Sequence, residues 1–248
     1  MNALTDKVAL ITGSARGLGQ AIAERYAALG ANIILNYSKD KAGADQVVST
    51  IQAMGRRVVA IQADVSKVAE IRRLFAEAKH AFGQIDIVVA NAGIELSDVP
   101  VVEFTEEQFD QLFNINTKGT YFTMQEAARH IEDHGRIIYV ASSTTSYPMQ
   151  GMGVYGGSKT TPKYLVEVLA KEIGHRGVTV NSIVPYAVEG TGMFSEDHYS
   201  HDILVATNPM KRLATPEDVA NVAEFFASGL SSFVNGQHLL VHGGAPLA

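Results

Sequence analysis

The chain has 248 residues, 46% of them hydrophobic and 19% charged, with 22 glycines. That balance suits one sizeable globular core. The formal net charge of −6 gives no global electrostatic case for nucleic acid as a partner. Cysteine is absent, which excludes disulfides, thiolate metal sites and cysteine nucleophiles. The start MNALTDKVALITG has no basic lead followed by a long apolar run, and no apolar run is long enough to span a bilayer. A soluble, cytoplasmic protein with no membrane partner is therefore expected.

In chain order, Lys7–Thr12, Asn32–Tyr37, Arg57–Gln62, Ile85–Ala90, Gly135–Ser142, Val178–Val184 and His238–Val241 are predicted strands. Each is short, rich in β-branched residues and apolar almost throughout, as parallel strands covered on both faces should be. Between them, helical periodicity runs over Gly17–Leu29, Ala42–Met54, Val68–Phe82, Glu106–His130, Tyr155–Ile173 and Pro216–Ala227. Thr215-Pro216-Glu217-Asp218 is a well-formed helix start, with a capping hydroxyl, Pro at the first position and acids in the first turn. Regular β-α alternation predicts the α/β class: a single doubly wound Rossmann-type domain over 1–248, with helices on both faces of a parallel sheet. The segment of about 187–209 has no clear period and would lie beside the strand ends as a substrate-binding lid.

The first strand runs into Gly13-Ser14-Ala15-Arg16-Gly17-Leu18-Gly19 and then a helix. Glycines let a backbone approach a pyrophosphate, and the helix N-terminus offers free N–H groups and a positive dipole end. The spacing is G-x-x-x-G-x-G, and such turns also serve packing alone. An NAD site places an acid at the end of the second strand, roughly 20 residues beyond the glycines. Here Tyr37-Ser38-Lys39 carries none before Asp40. With Arg16 and Lys39 as cations, NADP(H) is favoured as cofactor and NAD(H) stays possible.

Tyr155 and Lys159 are spaced i, i+4 and share a helix face. An adjacent ammonium, and a positively charged nicotinamide, would lower a tyrosine pKa from about 10. Tyr155 could then act as a general acid or base on a carbonyl or alcohol. Such a pair also occurs by chance on surfaces. Ser142 could hold a carbonyl oxygen or simply cap a turn. Asn116, within a long helical stretch, is either a helix-kinking residue or one that holds a water and orients Lys159.

The turn Thr12–Gly19, Asp64-Val65, Asn91-Ala92-Gly93, Asn116, Ser142, Tyr155/Lys159 and Asn181–Pro185 fall in the order of the short-chain dehydrogenase/reductase family. The tail Arg212–Ala220 and His242-Gly243-Gly244 is similar too, so the resemblance spans essentially the whole chain. It implies a seven-stranded sheet of order 3-2-1-4-5-6-7 and commonly a homotetramer. It implies Tyr155 as acid/base, Lys159 as its pKa modulator and ribose ligand, Ser142 as carbonyl holder and Asn116 as link to a relay water. Cofactor contacts would come from Gly13, Ser14, Arg16, Gly17, Leu18, Gly19, Tyr37, Ser38, Lys39, Asp64, Val65, Asn91, Ala92, Gly93, Pro185, Val188 and Thr191, with Tyr155 and Lys159. Substrate would meet Ser142, Tyr147, Tyr155 and Tyr186.

Three departures from the family pattern stand out: Tyr186 follows Pro185 where glycine is usual, Ala90 replaces an asparagine, and His242 replaces an aspartate. A tyrosine at 186 would narrow the site and resists a positive φ. His198 and His201 show no metal-binding pattern and read as a solvated lid face, so no metal is expected. Met149, Met152, Met193 and Phe194 suggest an apolar, adaptable wall or equally core.

The implied activity is reversible hydride transfer between nicotinamide and a carbonyl or secondary alcohol. Reduction of a small or polyketide-like ketone is the leading reading, with alcohol or sugar dehydrogenation as its reverse. Reduction of a 3-oxoacyl group on a carrier protein, for which Arg176 resembles one of the basic positions of such reductases, is disfavoured, because Glu132-Asp133 just before His134-Gly135-Arg136 would repel an acidic carrier. A non-catalytic dinucleotide sensor should have lost Tyr155 or Lys159, and both are present.

Overall fold

The computed structural model describes residues 3–191 and 200–245. Seven parallel strands form one sheet in the order β3-β2-β1-β4-β5-β6-β7. They are β1 (Val8–Ile11), β2 (Asn32–Tyr37), β3 (Val58–Gln62), β4 (Ile87–Ala90), β5 (Arg136–Val140), β6 (Thr179–Pro185) and β7 (His238–Val241). The helices are α1 (Gly17–Ala28), α2 (Lys41–Ala53), α3 (Val68–Phe82), α4 (Glu106–Leu112), α5 (Thr120–His130), α6 (Gly153–Ile173), α7 (Ser200–Thr207) and α8 (Pro216–Ala227).

The central strands are largely apolar because both of their faces are covered. Side chains alternate across a strand. Ala9, Ile11, Ile33, Leu35, Val89 and Ile183 therefore pack under α1, α2 and α8. Their neighbours Val8, Leu10, Ile34, Val88 and Val184 pack under α3, α5 and α6. Thr215 caps α8 as its sequence suggests, in a reciprocal capping box with Asp218.

The predicted helix Glu106–His130 forms over its whole length but is not α-helical throughout. It is interrupted by a π-helical segment over Phe113–Gly119, which separates α4 from α5 and holds Asn116. An extra residue in a helical turn rotates the following side chains, a device found mostly at functional sites. The segment near 187–209, read without regular structure, contains α7. Leu204 of that helix lines the central cleft.

Candidate active site

A cleft of about 1180 Å³ opens at the carboxyl ends of β1, β2, β4, β5 and β6. This is where an open parallel sheet places ligands, at the reversal of strand order beside β1. At one end lie Gly13, Arg16, Gly17, Leu18, Tyr37, Ser38, Lys39, Asp64 and Val65, and in the middle Asn91, Ala92 and Gly93. Ser142, Tyr155, Lys159, Pro185 and Tyr186 line the other end, and Val188 and Thr191 line the cleft too, Thr191 beside Gly17.

The glycine turn is locked by side chains around it. Gly13 sits at φ +63°, and a Cβ there would come within 2.9 Å of Ala92 Cα. Asn36, from buried β2, accepts from the Gly13 N–H at 3.2 Å and donates to the Ala63 carbonyl at 3.0 Å. Asn91 donates to the carbonyls of Thr12 and Gly13 at 2.9 and 3.1 Å. The Thr12 hydroxyl accepts from the N–H groups of Asn91 and Ala92, each at 3.0 Å. The turn ends at α1, whose N-cap residue Arg16 makes no side-chain cap, so the first-turn N–H groups are left to a ligand or water. Such a cradle suits a pyrophosphate. Asn36 escaped the sequence reading; a polar residue inside the apolar run NIILNY was the available signal.

Asp40, the first acid after β2, accepts from the Gly43 N–H at 2.9 Å and caps α2. Arg16, Ser38 and Lys39 are exposed at the cleft wall. Asp64 binds the Ser66 hydroxyl and N–H at 2.7 and 3.0 Å. Although burial pulls its pKa upward, these bonds and Lys67 bring it below the ordinary value.

At the other end, Tyr155 and Lys159 rise from the first two turns of α6. Lys159 is buried, donates to the Val140 carbonyl at 3.2 Å and lies 5.7 Å from the centre of the Tyr139 ring. Burial lowers its pKa to about 8, opposed by the charge of Glu95. The expected fall in the Tyr155 pKa is overturned for the protein groups alone. Burial raises it well above the ordinary value, Glu95 adds to the rise, and a hydrogen bond with Ser142 opposes both. Desolvation of a phenolate outweighs the hydrogen bond from Ser142.

Ser142 takes the capping role that the sequence left open, and it also lines the cleft. It caps the short 3₁₀ turn Ser143–Thr145, accepting from the Thr144 N–H at 3.3 Å, and it also reaches Tyr155. Ser143 lines the cleft beside it.

Asn116 is fully buried and does not line the cleft. Its amide accepts from the Ile94 N–H at 2.9 Å, donates to the Ile94 carbonyl at 2.8 Å and donates to Ser158 Oγ at 3.1 Å. It braces the chain beside Lys159 from both sides. Ser14, Gly19 and Tyr147 also stand outside the cleft lining. The Ser14 hydroxyl donates to the Ile11 carbonyl at 2.8 Å, and Gly19 packs against Gly13 and Asn91. Both support the turn from behind.

Tyr186 lines the cleft without a positive φ, its N–H donating to the Val241 carbonyl at 3.0 Å. The backbone objection to tyrosine at this position therefore falls away. Met149 and Met152 line the cleft as well, while Met193, Phe194 and His198 lie outside the described residues. Among the described residues no cluster of His, Cys, Asp or Glu could hold a metal, and no helix is long and apolar enough to cross a membrane.

Comparison with known proteins agrees with this geometry. Residues 13–246 match the family model described as Enoyl-(Acyl carrier protein) reductase. A hydroxynaphthalene reductase-like protein Arp2 of Metarhizium brunneum is 40% identical, covering 98% of this chain and 96% of its own. A short chain dehydrogenase of Burkholderia cenocepacia, solved in complex with NADP, is 35% identical with a TM-score of 0.93, covering 98% of this chain and 99% of its own. The reductase LugOII, described as catalysing keto-reduction at C1 during lugdunomycin biosynthesis, is 30% identical with a TM-score of 0.91, covering 98% of each chain. With the strand order, the glycine cradle and the Ser-Tyr-Lys cluster in one cleft, the chain belongs to the short-chain dehydrogenase/reductase family, whose members here are oxidoreductases acting on CH–OH and C=O groups.

Proposed function

We propose that the protein is an NADP(H)-dependent ketone reductase acting on a small or polyketide-like substrate. The observation that carries this reading is the meeting of Ser142, Tyr155 and Lys159 in the lining of one nucleotide-sized cleft. The names of two relatives, hydroxynaphthalene reductase-like Arp2 and the keto-reducing LugOII, support it.

The residues present fit a dinucleotide. The cradle at Gly13 admits no Cβ, and the first turn of α1 offers N–H groups to a pyrophosphate. Arg16, Ser38 and Lys39 suit a 2′-phosphate, and Asp40 is occupied in capping α2. When bound, the reduced nicotinamide supplies a hydride to the carbonyl carbon. Ser142 holds the carbonyl oxygen, and Tyr155 gives that oxygen its phenolic proton. The Lys159 ammonium, mostly charged at neutral pH with a pKa of about 8, stabilises the phenolate left behind.

Arg176 weighs against a carrier-protein substrate. Its guanidinium donates to Asp133 at 2.8 Å, the Ala128 carbonyl at 2.9 Å and the Ile131 carbonyl at 2.5 Å, which leaves it committed within its own fold. A homotetramer is part of the proposal, supported by the exposed Leu230, Phe233 and Leu239 near β7.

The first test is a titration of the protein with NADPH and NADH, followed by nicotinamide fluorescence, with a ketone panel assayed alongside. Tighter NADPH binding, reduced about tenfold or more by Arg16→Ala with Lys39→Ala, is the expected result. Tighter NADH binding would reverse the cofactor assignment and turn attention to alcohol or sugar oxidation.

A further inference from the structure

Glu95 is a half-buried carboxylate in the lining of the same cleft as Ser142, Tyr155 and Lys159. Its position is imposed by its neighbours. Asn116 grips both the N–H and the carbonyl of Ile94, at 2.9 and 2.8 Å, so residue 95 leaves a fixed point of the backbone. The same amide donates to Ser158 at 3.1 Å, one residue before Lys159. A Cβ on Gly93 would lie 2.9 Å from Lys159 Nζ, so the segment 93–95 runs directly beside the ammonium.

The charge has two effects on its neighbours, of which one is to hold the Lys159 ammonium charged. It opposes ionisation of Tyr155, the step required to take a proton from an alcohol. It does nothing to hold a carbonyl oxygen, which accepts hydrogen bonds and does not donate them. What a carboxylate on a cleft wall does well is accept from a hydroxyl, a charge-assisted bond stronger than a neutral one. It also repels an anionic substrate. Met149, Met152 and Tyr186 line the same cleft and offer apolar and aromatic surface.

We propose that Glu95 is a specificity-determining residue whose carboxylate accepts a hydrogen bond from a second hydroxyl on the substrate, selecting hydroxylated aromatic or cyclic ketones and excluding carboxylated ones. The inference rests on the ketone-reductase reading.

The test is equilibrium binding, independent of turnover. The intrinsic fluorescence of 2-naphthol, 2-methoxynaphthalene and 2-naphthoate is titrated against the full chain with saturating NADP+. The parent should bind the naphthol about tenfold more tightly than its methyl ether, the scale of one charge-assisted hydrogen bond, and the naphthoate least. Glu95→Gln should bring naphthol and ether to within about twofold and improve naphthoate binding about tenfold. Glu95→Asp, which keeps the charge on a shorter arm, should still exclude the naphthoate while losing naphthol preference. An order of the three ligands unchanged by Glu95→Gln overturns the assignment. A parallel assay with hydroxylated and plain ketones separates the two failures. No reduction of any ketone refutes the reductase reading, and reduction with an unaltered hydroxyl preference in Glu95→Gln refutes the role of Glu95 alone.

Discussion

The Thr117 hydroxyl donates to the Ser158 carbonyl at 2.8 Å, joining the π-helical segment to α6 one residue before Lys159. The reason lies four residues further on, at Pro162 inside α6. A helical carbonyl ordinarily accepts from the N–H at i+4, and proline has none. The Ser158 carbonyl is thus released from the helix ladder and taken up by a neighbouring element. An interior proline, ordinarily a helix breaker, becomes the means of fastening the helix of Tyr155 and Lys159 to the segment that carries Asn116.

Thr117→Val should therefore cost about 1–3 kcal/mol, the penalty for stranding a polar group, read as a lower urea midpoint. The catalytic rate should fall with it, since α6 loses a brace beside Lys159. Combined with Pro162→Ala, which restores an N–H to the helix, the loss should shrink. A double-mutant cycle with strictly additive effects would show that the two residues are not coupled.

Tyr155→Phe should lower kcat/KM for ketone reduction by about 10²–10⁴, the range for a positioned acid. NADPH binding should stay within about threefold, because the phenylalanine keeps the ring and the cleft wall. An equally active variant would remove Tyr155 from the chemistry.

The pH profile follows from Lys159. The proposed mechanism needs its ammonium beside Tyr155, and its pKa lies at about 8. Reduction should decline as pH rises through that value, because the charged form is lost. Glu95 raises the Lys159 pKa, so neutralising it in Glu95→Gln lowers that pKa. The alkaline limb should accordingly move to lower pH in that variant. Movement to higher pH would contradict the electrostatic arrangement.

Gly19 and Gly157 should respond oppositely to alanine. A Cβ on Gly19 would stand 2.4 Å from the Gly13 carbonyl oxygen and 2.6 Å from Asn91 Nδ2, and the backbone contact cannot yield cheaply. Gly19→Ala should lose about 1–3 kcal/mol of stability and weaken NADPH binding. Gly157, exposed on α6, has nothing within 4 Å of its Cβ position. Gly157→Ala should be neutral or gain up to about 1 kcal/mol from helix propensity. Thermal or urea unfolding of both variants reads the contrast.

Sequence by itself determined the strands, the helices that cover them and the spacing of Tyr155 and Lys159, because these depend on local periodicity. Burial on both faces leaves continuous apolar runs, and four residues make a helical turn, whatever the rest of the chain does. The glycine turn was legible for a similar reason, since few residues tolerate its backbone. Other features depend on residues far apart in sequence, and only the tertiary structure decided them. The departure from α-helix within Glu106–His130 comes from the π-helical segment, whose Asn116 is pinned to Ile94 and Ser158, contacts that no periodicity records. Glu95 reaches Tyr155 and Lys159 only because β4 and α6 converge on one cleft. The direction of the Tyr155 shift was decided the same way. Spacing supplied the ammonium, but burial sets the cost of a phenolate, and burial belongs to the assembled fold.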